Sequence, residues 1–317
     1  MSVARRPDLF IIGAPKSGTT SLYEYLLRHP QVFMSPTKEP FYFCPDARMG
    51  PRPRLEYPAD EARYLELFAG AGKAVRLGEA TTRYLGSGEA PRLVRDFSPD
   101  AYIVASLREP VTMLQALHNE RVANGNEDIT DFGAALEADD DRRRGRRLPP
   151  GANSRGAVYR DVARYADQLE HWLEAFGPER VQVIVFDDLV ADPAATFRRL
   201  LEFLDVDTDY RPAEFAAHNR RYRPRRSVRV VTDSRLGRLV SDRALPALIG
   251  ESRRAQLALR FRHSRLVRQQ VIVEPVAPAI RAALEREFEP DVVRLSALIG
   301  RDLGLLWFGK SLPVAAS

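Results

Sequence analysis

A chain of 317 residues with 44% hydrophobic content has ample apolar material for a core, and its length suits one large α/β domain with insertions. The net charge of +5 comes from arginine far more than from lysine, which suits phosphate or sulfate partners without requiring nucleic acid. Cys44 is the only cysteine, so an intramolecular disulfide and a structural zinc site of several thiolates are excluded, and a reducing compartment fits best.

The stretch Leu9–Ile12 reads as a buried strand that breaks at Gly13-Ala-Pro, and helical period resumes from Thr19 to Arg28. Strand, loop and helix in that order make an anion site, because the N–H groups of the turn converge and the helix N-terminus adds about half a positive charge. A short apolar strand follows within His29–Phe43, then the step Lys38-Glu39-Pro40, where the proline pushes Glu39 onto extended or turn backbone. Ala59–Phe68 has helical period, and Ala74–Gly78 reads as a strand ending at Glu79-Ala-Thr-Thr on the loop's side of the sheet. Ala101–Leu107 is a further buried strand, with a helix from Pro110 to about Val122. Residues 139–155 carry blocked charges, glycine and proline, and are expected to form a mobile surface loop that could serve as a lid. Asp161–Phe176 is helical, Val181–Phe186 is a strand and Asp192–Leu204 a helix. Strand signals become scarce after Asp205, where a basic loop at Arg220–Arg229 precedes a helical C-terminal part.

The alternation of strand and helix predicts an α/β fold, a P-loop-type parallel sheet flanked by helices, as a single domain over 1–317. The first apolar strand begins within about eight residues of Met1, which leaves no room for a signal peptide, and no apolar run approaches the roughly 20 residues that span a bilayer. The expectation is a cytoplasmic protein with no membrane partner.

Gly13 and Gly18 have the spacing of the nucleotide triphosphatase loop G-x-x-x-x-G-K-[ST], with Thr19 and Thr20 behind them. Position 19 is threonine, however, and the only lysine in the loop is Lys16, so the cation meets the phosphates from another side. The loop therefore resembles the P-K-[ST]-G-T-[ST] signature of sulfotransferases that use 3′-phosphoadenosine 5′-phosphosulfate (PAPS). That resemblance, over roughly residues 8 to 230, implies sulfuryl transfer to an acceptor hydroxyl, with Lys16, Ser17, Gly18, Thr19 and Thr20 around the 5′-phosphosulfate.

Thr37-Lys-Glu-Pro-Phe-Tyr-Phe43 is similar to the K-E-P-[HF]-[FY]-F segment of heparan-type members, which implies Glu39 as general base, Lys38 as an aid to orienting the donor, and a sugar or glycosylated small molecule as acceptor. His118 is the competing base, as used by cytosolic members, or else a satisfied core or surface histidine. Leu107-Arg-Glu-Pro-Val111 resembles L-R-[DN]-P-V, which implies that Arg108 binds the 3′-phosphate. Where the family has a serine eight residues on, this chain has Ala116. Gly156-Ala-Val-Tyr159 is reminiscent of G-S-x-Y, which implies Tyr159 near the adenine, and Arg225, Arg226 and Ser227 stand where the family closes over the 3′-phosphate. Asp187-Asp188 imitates a metal-binding strand end, but it also resembles the family's structural turn E-D-[LM]-x-x-[DN]-P, with no metal implied. The alternative reading is a P-loop kinase or triphosphatase, which needs a lysine at position 19. A nucleic-acid module has little support, because few aromatics are interleaved with the arginines.

Overall fold

Leu9–Gly13 forms β1, fully buried, and its side chains alternate between the two faces of a sheet: Phe10 and Ile12 join one core, Leu9 and Ile11 the other. In this computed structural model the described residues are 5–47, 58–149, 152, 154–212, 214–215, 222–224, 268–270 and 275–312. After β1 come α1 (Thr19–Leu26), β2 (Val32–Met34), α2 (Glu61–Glu66), β3 (Arg76–Ala80), α3 (Ala90–Phe97), β4 (Tyr102–Leu107) and α4 (Pro110–Asn124). Four short helices and a longer one follow: α5 (Phe132–Glu137), α6 (Asp139–Arg143), α7 (Ser154–Ala157), α8 (Tyr159–Val162) and α9 (Tyr165–Phe176). The last strand of the main sheet is β5 (Val181–Val185), followed by α10 (Phe186–Ala191) and α11 (Pro193–Phe203).

The five strands run in the order β2-β3-β1-β4-β5, and every neighbouring pair is parallel. The chain fills one side of β1 first and the other afterwards, so the order switches between β1 and β4. Loops leaving the carboxyl ends of strands at such a point flank a crevice, the usual place for a ligand in open α/β sheets. One core holds α1 and α11 against Val104 and Ile184, and the other packs Trp172, Phe176, Phe288 and Leu295 against Ile103 and Leu107.

By packing, the chain forms two units: Met1–His218 with Val276–Ser317, and Asn219–Pro275. In the second, the described backbone is an antiparallel pair, β6 (Tyr222–Pro224) and β7 (Arg268–Gln270). In the first, the helical end of the chain is α12 (Pro278–Ile299) and α13 (Leu303–Phe308). The Asp291 carboxylate of α12 accepts the backbone N–H groups of Tyr165 at 3.0 Å and Ala166 at 3.2 Å, capping α9.

Two local expectations change. The expected helix from Asp161 is broken, with α8 ending at Val162 and α9 starting at Tyr165. The segment expected as a mobile surface loop opens with α6, in which Asp139 and Arg142 are buried. Arg142 reaches back to Glu127 at 2.9 Å, with neither side chain exposed. Its charge is used inside the fold, which composition alone could not reveal.

Candidate active site

The loop between β1 and α1 is fixed from the end of β4. Ala14 N–H donates to the Ser106 carbonyl at 2.6 Å, the Ser106 hydroxyl donates to the Ser17 carbonyl at 2.5 Å, and Arg108 Nη1 donates to the Lys16 carbonyl at 3.2 Å. Gly18 has φ +84°, and a Cβ there would come within 2.8 Å of Leu189 and 3.0 Å of Phe186, so both conformation and space demand glycine. Lys16 is also left-handed, at φ 60°. Its Nζ meets Glu120 of α4 at 2.9 Å, a partly exposed pair that a phosphate can outcompete. Ser17 is buried with its hydroxyl donating to the Pro15 carbonyl at 3.2 Å, and Thr19 is buried at the start of α1.

Glu39 meets this loop through the turn after β3. Its N–H donates to the Ala80 carbonyl at 2.9 Å, and its carboxylate accepts the Thr82 N–H at 3.2 Å and the Thr82 hydroxyl at 3.1 Å. Thr82 in turn packs on the loop, since its carbonyl oxygen lies 2.9 Å from where a Cβ on Gly13 would sit. Lys38 Nζ is 3.2 Å from Glu39 Oε1. The backbone at Glu39 has φ 62°, in the left-handed region and not extended. Five non-glycine residues have positive φ among the described residues, and Lys16 and Glu39 are two of them. Strain of this kind costs about 1–3 kcal/mol per residue and persists where surrounding contacts over-determine it, as at active sites.

Arg108 lies over the Phe186 ring, 4.8 Å from its centroid, at the β4 end of the loop. Glu109 beside it caps α4, accepting the N–H groups of Val111 and Thr112 at 2.8 Å each. Ala116 is buried further along the same helix.

Two predicted residues are buried with partners of their own. His118 is 2% exposed, and its Nε2 donates to the Ile129 carbonyl at 2.9 Å while its ring packs on Phe132 and Tyr159. Burial pushes its pKa down, and its neighbours make it a core histidine. Tyr159 is fully buried, its hydroxyl donating to Glu127 at 3.0 Å and its ring flanked by Arg121 and Arg142. Arg225, Arg226 and Ser227 lie outside the described residues. Asp187 accepts from Trp307 Nε1 at 3.2 Å, and Asp188 forms a two-point pair with Arg301, so both strand-end carboxylates tie down the C-terminal helices.

Two further residues near the candidate site carry little signal in the sequence. Tyr165 is buried with a hydroxyl that has no hydrogen-bond partner among the described residues, close enough to Arg108 and Glu109 to feel their charges. An aromatic near the start of the helix preceding β5 was the only signal for it. Glu79 is buried at the end of β3, where the sequence shows only a strand end facing the loop.

The parallel sheet, the glycine-pinned loop at its switch point and the lysine within that loop define a P-loop-like α/β protein with a loop suited to an anion. The sequence model of the Sulfotransferase family matches residues 52–210, half of the chain. The chain belongs to the sulfotransferase family. It is similar to a solved sulfotransferase from Alicyclobacillus acidocaldarius, with TM-score 0.69 and 28% identity, covering 96% of this chain and 99% of that one. Carbohydrate sulfotransferase 15 of Mus musculus is 26% identical over 247 residues, covering 63% of this chain and 44% of that protein. Heparan sulfate glucosamine 3-O-sulfotransferase 6 of Homo sapiens is 29% identical over 204 residues, covering 64% of this chain and 53% of that protein. The chain thus spans about half the length of the curated relatives it matches. Among the described residues no helix is long and apolar enough to cross a membrane.

Proposed function

We propose that this chain transfers the sulfuryl group of PAPS to an acceptor hydroxyl and releases adenosine 3′,5′-bisphosphate. The bond from sulfur to the 5′-phosphate oxygen breaks, a bond from sulfur to the acceptor oxygen forms, and Glu39 takes the acceptor's proton. Lys16 neutralises charge developing on the bridging oxygen, with N–H donors of Ser17, Gly18, Thr19 and Thr20 around the phosphosulfate. Lys38 orients the donor sulfate, and Arg108 binds the 3′-phosphate with a guanidinium fork. The observation that carries this reading is that Glu39 is held by Thr82, which packs against Gly13 of the loop bearing Lys16. A kinase reading lacks the lysine at position 19, where this chain has threonine.

The Lys38-Glu39-Pro40 segment and the carbohydrate-sulfating relatives support a sugar hydroxyl as acceptor, free or on a glycosylated small molecule. The donor assignment is tested by thermal melting. Adenosine 3′,5′-bisphosphate at a hundredfold its Kd should stabilise the chain by about 2.7 kcal/mol without added metal. A larger shift from ATP with magnesium, and none from the bisphosphate, would overturn the donor assignment in favour of a kinase.

A further inference from the structure

Behind Glu39, a second carboxyl is sealed in the core, and among the described residues its hydrogen-bond partners are hydroxyls. Glu79 is fully buried; its Oε1 accepts from the Tyr64 hydroxyl of α2 at 2.7 Å and the Tyr84 hydroxyl at 2.8 Å, and its Oε2 from the Thr81 hydroxyl at 2.6 Å. As a stabilising device this is poor, because a buried carboxylate held by neutral hydroxyls costs more than an apolar side chain of similar size. Its place explains it better. Glu79 and Thr81 flank Ala80, whose carbonyl takes the Glu39 N–H, and the next residue, Thr82, binds the Glu39 carboxylate with its N–H and hydroxyl.

We propose that Glu79 is a positioning residue for sulfuryl transfer: by anchoring residues 79–82 in the core, it fixes the backbone and carboxylate of Glu39 against the Lys16 loop. This rests on the reading of Glu39 as base. With the carboxylate ionised, all three hydroxyls donate to it. Once protonated, Glu79 must donate in turn, and the hydroxyl oxygens are the acceptors in its cage, so at least one has to rotate. Tyr84 is constrained further, since its oxygen already accepts the Phe43 N–H at 3.2 Å.

Among the described residues the titratable groups facing Glu79 are Tyr64, Tyr84, Cys44 and Glu39, and Cys44 also feels the charges of Arg83 and Asp46. Burial pushes Glu79 up to about 7, against the pull of its three hydroxyl donors and with a small addition from Glu39, while it drives the two tyrosines and Cys44 up. Glu79 is thus the member of this cage that changes charge near neutrality. Over the window from its ordinary 4.5 to about 7 the folded chain holds a proton that the unfolded chain has lost, so this group's contribution to stability falls as pH rises.

The test is single-turnover consumption of PAPS by the full chain, with a heparosan oligosaccharide as acceptor and with water alone. Glu79→Gln should slow it about ten- to a hundredfold, the scale of an ångström-level misplacement of a reacting group. The Kd for adenosine 3′,5′-bisphosphate should stay unchanged, and the rate limb near pH 7 and the stability slope from 4.5 to 7 should both disappear. The double variant Glu39→Gln/Glu79→Gln should be no slower than Glu39→Gln alone, because Glu79 acts through Glu39. Where Glu79→Gln fails to fold, Thr81→Val removes one donor and should shift the same limb. An unchanged rate and pH profile in a folded variant, or additive losses in the double variant, would overturn the proposal. If Glu39→Gln alone keeps wild-type turnover, the base assignment fails instead.

Discussion

Glu79 and Glu127 are both sealed from solvent, and they are held in opposite ways. Burial would raise Glu127, but hydrogen bonds from Arg142 and the Ile129 N–H, together with the Arg142 charge, outweigh it and hold this carboxyl below its usual range. Among the described residues Glu79 has hydroxyls alone, and burial prevails. The guanidinium partner turns one carboxylate into a permanent cross-link between the end of α4, α6 and Tyr159. Its absence leaves the other with a proton that comes and goes near neutrality, beside the candidate base. One region is built to stay as it is, the other to respond.

That contrast fails if activity and stability follow the same residues. The largest effect should come from Glu39→Gln, which is expected to lose about a hundred- to ten-thousandfold in turnover, the usual contribution of a general base, while keeping normal binding of adenosine 3′,5′-bisphosphate. His118→Ala, in the other region, should lose far less; single-turnover kinetics on both variants decide, and a dead His118→Ala with an active Glu39→Gln would reverse the assignment. Next comes Glu127→Gln, which strands the buried Arg142 and should cost about 3–5 kcal/mol in denaturant unfolding while leaving the folded fraction active. Replacing the pair together with leucine and methionine should recover much of that loss. Smallest is Arg108→Ala, which removes a charge-assisted bond worth about 1.5–3 kcal/mol, or roughly one to two decades of affinity for the 3′,5′-bisphosphate. Adenosine 5′-phosphate should lose little, and Ala116→Ser should add affinity at the 3′ end; an equal loss for both nucleotides would remove Arg108 from that role.

Much of this molecule is legible in its sequence where the signal is local. The strands of the main sheet stand out as apolar runs, the anion loop as two glycines at fixed spacing around one lysine, and Glu39 as a carboxylate placed before a proline. The lost information is long-range. Arg142 sits among aspartates and arginines that read as solvated, and only the fold brings it to Glu127. Glu79 looks like any strand-end acid until Tyr64 and Tyr84 close over it. Tyr159 and Tyr165 stand six positions apart in similar local sequence, and the turn between α8 and α9 decides that Tyr165 is the one near Arg108.

The three hydrogen bonds that tie residues 14–17 to the end of β4 have a thermodynamic consequence for recognition. A glycine-containing loop that ordered itself around its ligand would subtract that lost freedom from every binding event. Here the freedom is given up when the sheet forms, so under the proposed function the cradle would meet its nucleotide already shaped, and affinity would reflect the contacts made with little deduction for assembling them.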